Sequence, residues 1–139
     1  MNIEILDSKK DYLQWEKIIN LMPKKFYDIY YHPNYVSMYK ILPNSKALLF
    51  IYKEQNNIWI NPFILQPIEK KIFQNSQQYY DIETAYGYGG PLSNCESNKF
   101  LLSAQKNTKN GVKIKILLLN LFVSIHFLII KNFTQKIQK

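Results

Sequence analysis

The sequence predicts an α/β protein, more closely an α+β one, and three observations carry that expectation. Tyr12, Trp15, Ile18 and Ile19 fall at helical spacing near the start of the chain. Ala47–Tyr52 and Ile58–Ile68 are apolar runs separated by the polar stretch Lys53–Asn57, which is a β-hairpin signature. Tyr79–Glu83 reads as a further strand that enters a cluster of glycines.

Taken in order, Ile3-Glu4-Ile5 predicts a first strand. Ser8 with Asp11 resembles a capping box, with Asp in place of Glu or Gln, and predicts a helix running to about Asn20. Pro23 ends that pattern. Lys24–Ile29 leads to His32-Pro33, and Pro33 suits the first turn of a second helix that ends near Tyr39, with His32 as its cap. Pro62 and Pro67 each lack a backbone donor, so the second hairpin strand is expected at a sheet edge or at a bulge. Gln74–Gln78 reads as a polar loop.

The densest signal is Tyr79–Asn94, YYDIETAYGYGGPLSN, where Gly87, Gly89 and Gly90 are three of the four glycines in the chain. Glycine removes the Cβ clash, so such a cluster marks unusual backbone angles or close approach to a ligand. Pro91 restricts Gly90 to extended conformations. Tyr86 and Tyr88 alternate with the glycines and share a side in an extended chain. A packed turn after a buried strand explains the same pattern.

This segment, together with DIYYHPNYVSMYK (Asp28–Lys40) and ALLFIYKEQNNIWINPFILQPI (Ala47–Ile68), resembles the N-terminal part of the FemA/FemB-like acyltransferases, relatives of the GNAT N-acetyltransferases. The resemblance covers most of residues 1–105, in the family's order. It implies an incomplete GNAT-like fold, with a mixed or antiparallel sheet and helices packed on it. It implies that the intact parent transfers an acyl or aminoacyl group to an amine on a cell-wall or surface-polysaccharide precursor in the cytoplasm. The donor would be an acyl-CoA or an aminoacyl-tRNA. Tyr86, Gly87, Tyr88, Gly89, Gly90 and Pro91 would then wall a substrate pocket. A glycine-rich turn opening a helix, where this class holds a coenzyme pyrophosphate, is missing. This chain therefore carries no cofactor site of its own, and its catalytic residues stay unassigned.

Composition divides the chain at the point where the resemblance stops. Residues 1–105 hold 11 lysines and all 10 acidic residues, whereas residues 106–139 hold 7 lysines and no acid. Every Tyr, Trp and Pro precedes residue 106. The overall charge of +8 is thus a property of the tail. The first part has no basic stripe with interleaved aromatics, which argues against nucleic-acid binding other than of a tRNA donor. Ile116–Ile130 is an apolar run flanked by Lys115 and Lys131. As a helix it spans about 22 Å, short of the ~30 Å hydrocarbon layer, so residues 114–130 make a marginal membrane helix.

The tail also reads as a shifted frame. If Gln105–Thr108 is encoded CAA AAA AAT ACA, one restored adenine gives Gln-Lys-Lys-Tyr. The continuation can then be decoded as KKYKEWCKDKNIIAEFIRFHPL, whose ending resembles the family's next block. In that case residues 106–139 are an aberrant tail on a truncated, inactive enzyme, with part of its sheet left uncovered. The competing reading is a small basic membrane-associated protein held by its C-terminal apolar segment. A third is a non-catalytic binding module built on Tyr86–Pro91.

Other chemistry-bearing residues point nowhere specific. Asp81 and Glu83 share one face of a strand, as a paired base or a solvated strand end. His32, His126 and Cys95 have no metal or nucleophile spacing, so no metal site is expected. Phe26, Tyr27, Tyr30, Tyr31, Tyr35 and Tyr39 read as core and rim packing or as a substrate platform.

Overall fold

The computed structural model describes residues 1–26, 28–68, 79–86, 89–118 and 122–123, with backbone alone for Phe26, 112–118 and 122–123. The chain is α+β. Its strands are β1 (Asn2–Asp7), β2 (Lys46–Glu54), β3 (Asn57–Pro67), β4 (Tyr79–Glu83), β5 (Leu92–Ser93) and β6 (Phe122–Val123). Its helices are α1 (Tyr12–Asn20), α2 (Pro33–Met38) and α3 (Asn98–Leu118), with 3-10 turns at Lys24–Phe26 and Ile29–Tyr31. The sheet order is β1-β2-β3-β4-β6, and β5 pairs with β3. All pairings are antiparallel except that of β6, which lies parallel to β4.

The hairpin forms as its apolar runs predict, with Glu54 opposite Asn57 and a two-residue loop between them. Gln55 takes a left-handed φ of 55°, as a tight hairpin turn requires. Both strands are apolar at nearly every position because both faces of the sheet are covered. Leu49 and Ile51 face one side with Ile60 and Ile64, against α1 and α2. Leu48, Phe50 and Tyr52 face the other with Phe63 and Leu65, against Phe100 and Ala104 of α3. Both faces of the β2–β3 hairpin are therefore covered.

Two local expectations are corrected. Ser8 and Asp11 do not form a capping box: the helix begins at Tyr12, and Asp11 makes no side-chain cap bond. Instead the Asp11 carboxylate accepts from the Asp7 backbone N–H at 2.8 Å, and Ser8 Oγ accepts from Ser37 Oγ at 2.8 Å. The chain leaving β1 offers these groups nearer partners than the helix does.

The second correction concerns Pro62. Strand β3 is interior, paired with β2 on one flank and with β4 and β5 on the other. That second flank is interrupted: β5 pairs with Trp59 and Ile60, β4 pairs with Ile64–Pro67, and Asn61–Phe63 lie in the gap. A residue without an N–H costs least where the ladder is already broken. Pro67 closes the strand.

The second helix follows the sequence closely. Pro33 is its first residue, and His32 Nδ1 accepts from Asn34 N–H at 3.3 Å. Since Nδ1 accepts, the ring proton sits on Nε2 and is donated to Glu16 Oε1 at 3.2 Å, tying α2 to α1.

The compositional boundary at Gln105–Lys106 falls inside α3, which crosses it without a break. Most of the expected membrane segment, and the expected Gln74–Gln78 loop, lie outside the described residues. Among the described residues no helix is long and apolar enough to cross a membrane.

Candidate functional site

Strands β4 and β5 flank the interrupted side of β3, and residues 84–86 and 89–91 lie next to the inner ends of these two strands in the chain. Ala85 is buried and Leu92 enters the core under α1 and α2, which anchors the segment at both ends. Between these anchors Tyr86 is 81% exposed. Gly87 and Tyr88 of the expected pocket wall lie outside the described residues, and Gly89, Gly90 and Pro91 are half-buried.

Gly90 has φ of 152°, and a Cβ built there would meet nothing within 4 Å. The strain of a side chain at this position is therefore purely conformational, and the space beside the backbone is open. Gly90→Ala is expected to cost about 1–2 kcal/mol from backbone strain alone. Denaturant unfolding measures it, and a neutral result would show that the loop relaxes freely.

The structure brings three tyrosines to this loop. Tyr35 Oη donates to the Tyr86 carbonyl at 2.8 Å and lies 3.0 Å from Tyr39 Oη. Tyr35 has one proton and gives it to Tyr86, so Tyr39 donates to Tyr35. The rings of Tyr30 and Tyr35 meet edge to face at 5.2 Å, and those of Tyr35 and Tyr39 are tilted at 5.2 Å. Tyr31 turns inward instead, and its carbonyl accepts from Trp15 Nε1 at 2.9 Å. The Phe26 side chain and Tyr27 lie outside the described residues, and of the rest of the aromatic run Tyr31 packs in the core while Tyr30, Tyr35 and Tyr39 lie at its rim. The tie to Tyr86 spans 51 residues. The spacing of Tyr35 and Tyr39 on one helix face was its only local sign.

The Tyr35 hydroxyl is pushed up to about 12, first by its hydrogen bond with Tyr39, then by burial and by Tyr39, Tyr30 and Asp28. Tyr35 therefore keeps its proton and serves as a strut for the loop, not as a base. An unfolded tyrosine ionises near pH 10, so the folded state holds this proton more tightly. Its contribution to stability is complete below about pH 10 and is lost as the pH rises to about 12. Burial first, and then Asp28, also raises Tyr31. Comparison with Tyr35→Phe isolates the Tyr35 share: the variant is expected to show a shallower alkaline fall in Tm. Equal slopes would remove Tyr35 from the account. Near neutral pH, Tyr35→Phe is expected to speed amide exchange in the loop, because it removes the bond to the Tyr86 carbonyl.

The acidic pair does not form a shared base. Glu83 accepts from the side-chain amide of buried Gln66, and Asp81 Oδ1 accepts from Ile82 N–H at 2.8 Å. No cluster of three His, Cys, Asp or Glu side chains suited to a metal occurs among the described residues. The described residues here offer the exposed Tyr86 ring and, at Gly90, backbone with open space beside it.

Comparison of the chain with family models, with curated proteins and with solved structures gives no match.

Proposed function

We propose that this chain is the front part of a FemA/FemB-like acyltransferase of the GNAT class, separated from its donor site and inactive as it stands. The intact parent would transfer an acyl or aminoacyl group, from an acyl-CoA or an aminoacyl-tRNA, to an amine on a cell-envelope or surface-polysaccharide precursor. It would work in the cytoplasm, with Tyr86–Pro91 as one wall of its pocket.

The observation that carries this reading is the burial pattern of α3 beyond Gln105. Helix α3 faces the sheet with Phe100, Ala104, Thr108 and Gly111, all buried. Lys106, Lys109 and Asn110 are exposed, and Asn107 is half-buried. With the codon choices that give the family-like phrase, one restored adenine would make the changes Asn107→Lys, Thr108→Tyr, Asn110→Glu and Gly111→Trp. The two aromatics would then take inward positions and the charges outward ones, although a Trp at 111, where a Cβ already lies 3.0 Å from Phe50 Cε2, requires α3 to stand further from the sheet in the intact parent. The three family-like blocks also meet in space: Tyr35 of the first is bonded to Tyr86 of the third, over the hairpin that forms the second.

The test is to count adenines across the codons for Gln105–Thr108 in independent clones, and to express the chain with one adenine restored. A longer product that acylates an amine from an acyl-CoA or an aminoacyl-tRNA supports the reading. A shorter tract in every clone, followed by bases that cannot encode the family-like phrase, sinks it and favours a membrane-held tail.

A further inference from the structure

A second site lies where β1 ends and β2 begins, away from the glycine loop in sequence. Three segments converge there: the exit of β1 at Asp7–Lys9, Lys40 just beyond α2, and the turn Asn44–Ala47 that enters β2. They enclose a half-open cavity of about 190 Å³ lined by Asp7, Ser8, Lys9, Lys40, Asn44, Ser45, Lys46 and Ala47. Asn44 adopts a left-handed φ of 70° to make the turn, and Ser8 N–H donates to Ala47 C=O at 3.0 Å, which fixes the two sides together.

The chemistry of the lining is one-sided. Three lysines, Lys9, Lys40 and Lys46, line it with one acidic residue, Asp7. None of these lysines has a carboxylate partner among the described residues. The Asp7 carboxylate is already engaged, since its Oδ1 accepts from the backbone N–H groups of Lys9 and Lys10 at 2.9 and 3.4 Å. Two hydroxyls complete the set. Ser45 Oγ is buried with no hydrogen-bond partner. Ser8 is 4% exposed, and its Oγ accepts from Ser37, so its own proton has no acceptor among the described residues. A buried hydroxyl left without a partner is costly, and its presence in a native chain calls for a group that satisfies it.

From these observations we infer that this cavity binds a phosphate group, either inorganic phosphate or the phosphate of a small monoester. A tetrahedral dianion offers many acceptors and no need of a donor, which matches three cations and two free hydroxyl protons. Lysine serves phosphate as a point charge and needs no bidentate geometry. A carboxylate would leave cations uncompensated. The cavity holds about six waters' worth of volume and is well below the ~300 Å³ of the smallest coenzyme-sized pockets, so the occupant is an oxyanion with its hydration.

The site is separate from the acyltransferase reading and stands if that reading fails. Its test is thermal melting of the full chain with inorganic phosphate, against sodium chloride at matched ionic strength. Phosphate is expected to raise Tm along a saturating curve, as any ligand of the folded state does, while chloride does not. Lys40→Ala with Lys46→Ala, and separately Ser45→Ala, are each expected to weaken half-saturation by about tenfold. If a variant melts too early to compare, phosphorus-31 line broadening at low temperature reads its binding directly. Equal effects of chloride and phosphate, or unchanged binding by the variants, would overturn the assignment.

Discussion

Replacing Trp15 with alanine is expected to destabilise the protein by about 3–5 kcal/mol, the cost of emptying a large aromatic site. Trp15 is fully buried in the core under α1 and α2, with Ile18, Ile19 and Val36. Its Nε1 donates to the Tyr31 carbonyl at 2.9 Å, so the substitution also leaves a buried acceptor unpaired. Domains of this size are stable by only about 5–15 kcal/mol, so the variant should sit close to its unfolding threshold. Trp15→Phe separates the two contributions, because it keeps most of the apolar area and loses only the bond. It is expected to cost about 1–3 kcal/mol, and the difference between the variants isolates the cavity. Denaturant unfolding with unchanged m-values measures both. A Trp15→Ala variant within about 1 kcal/mol of the parent would mean that α1 does not depend on this anchor.

The second large effect is expected at Gly111. A Cβ added there would lie 3.0 Å from Phe50 Cε2 and 3.3 Å from Ile3 Cγ2, so α3 rests on the sheet at this glycine. Gly111→Leu forces either Phe50, itself fully buried, or the helix to move, and overpacking of this kind costs about 1–3 kcal/mol. Leucine also favours the helix over glycine by about 0.8 kcal/mol, so a net loss in spite of that gain identifies packing as the cause. The mutation bears on the tail directly. A clear loss of stability would mean that the helix beyond Gln105 is part of the folded protein. No loss would mean that residues past the compositional break only lean on the surface. Tyr52 Oη, 2.9 Å from Ser103 Oγ, ties the helix to β2 before that break, and Asn107 Nδ2, which donates to the Ser103 carbonyl at 2.8 Å, spans the break within the helix.

The parts of the fold that were legible in the sequence share one physical property: their causes act over a few residues. Spacing put Trp15, Ile18 and Ile19 on one face of α1, and all three are buried. His32 and Pro33 announced the start of α2 because a cap and a fixed φ operate within one turn. The hairpin was visible because two apolar runs flank a short polar stretch. The capping box misled for the same reason it was read, since Ser8 and Asp11 have the right spacing but found partners in Ser37 and in the Asp7 backbone. The glycine loop announced itself by composition, but the hydroxyl that holds it comes from Tyr35 and left no trace at Tyr86.

By itself, then, the sequence determined β1, α1, α2, the β2–β3 hairpin and β4, where the glycine loop lies and where the composition changes, while α3 and β5 had no local sign in it. Only the tertiary structure decided that β3 is interior, that Pro62 falls in a gap of its ladder, that α3 closes the second face, and that three lysines gather around Ser8 and Ser45. Those outcomes depend on pairings between residues far apart in the chain. Periodicity and propensity govern the local backbone, while such pairings are chosen by how whole faces fit together on folding.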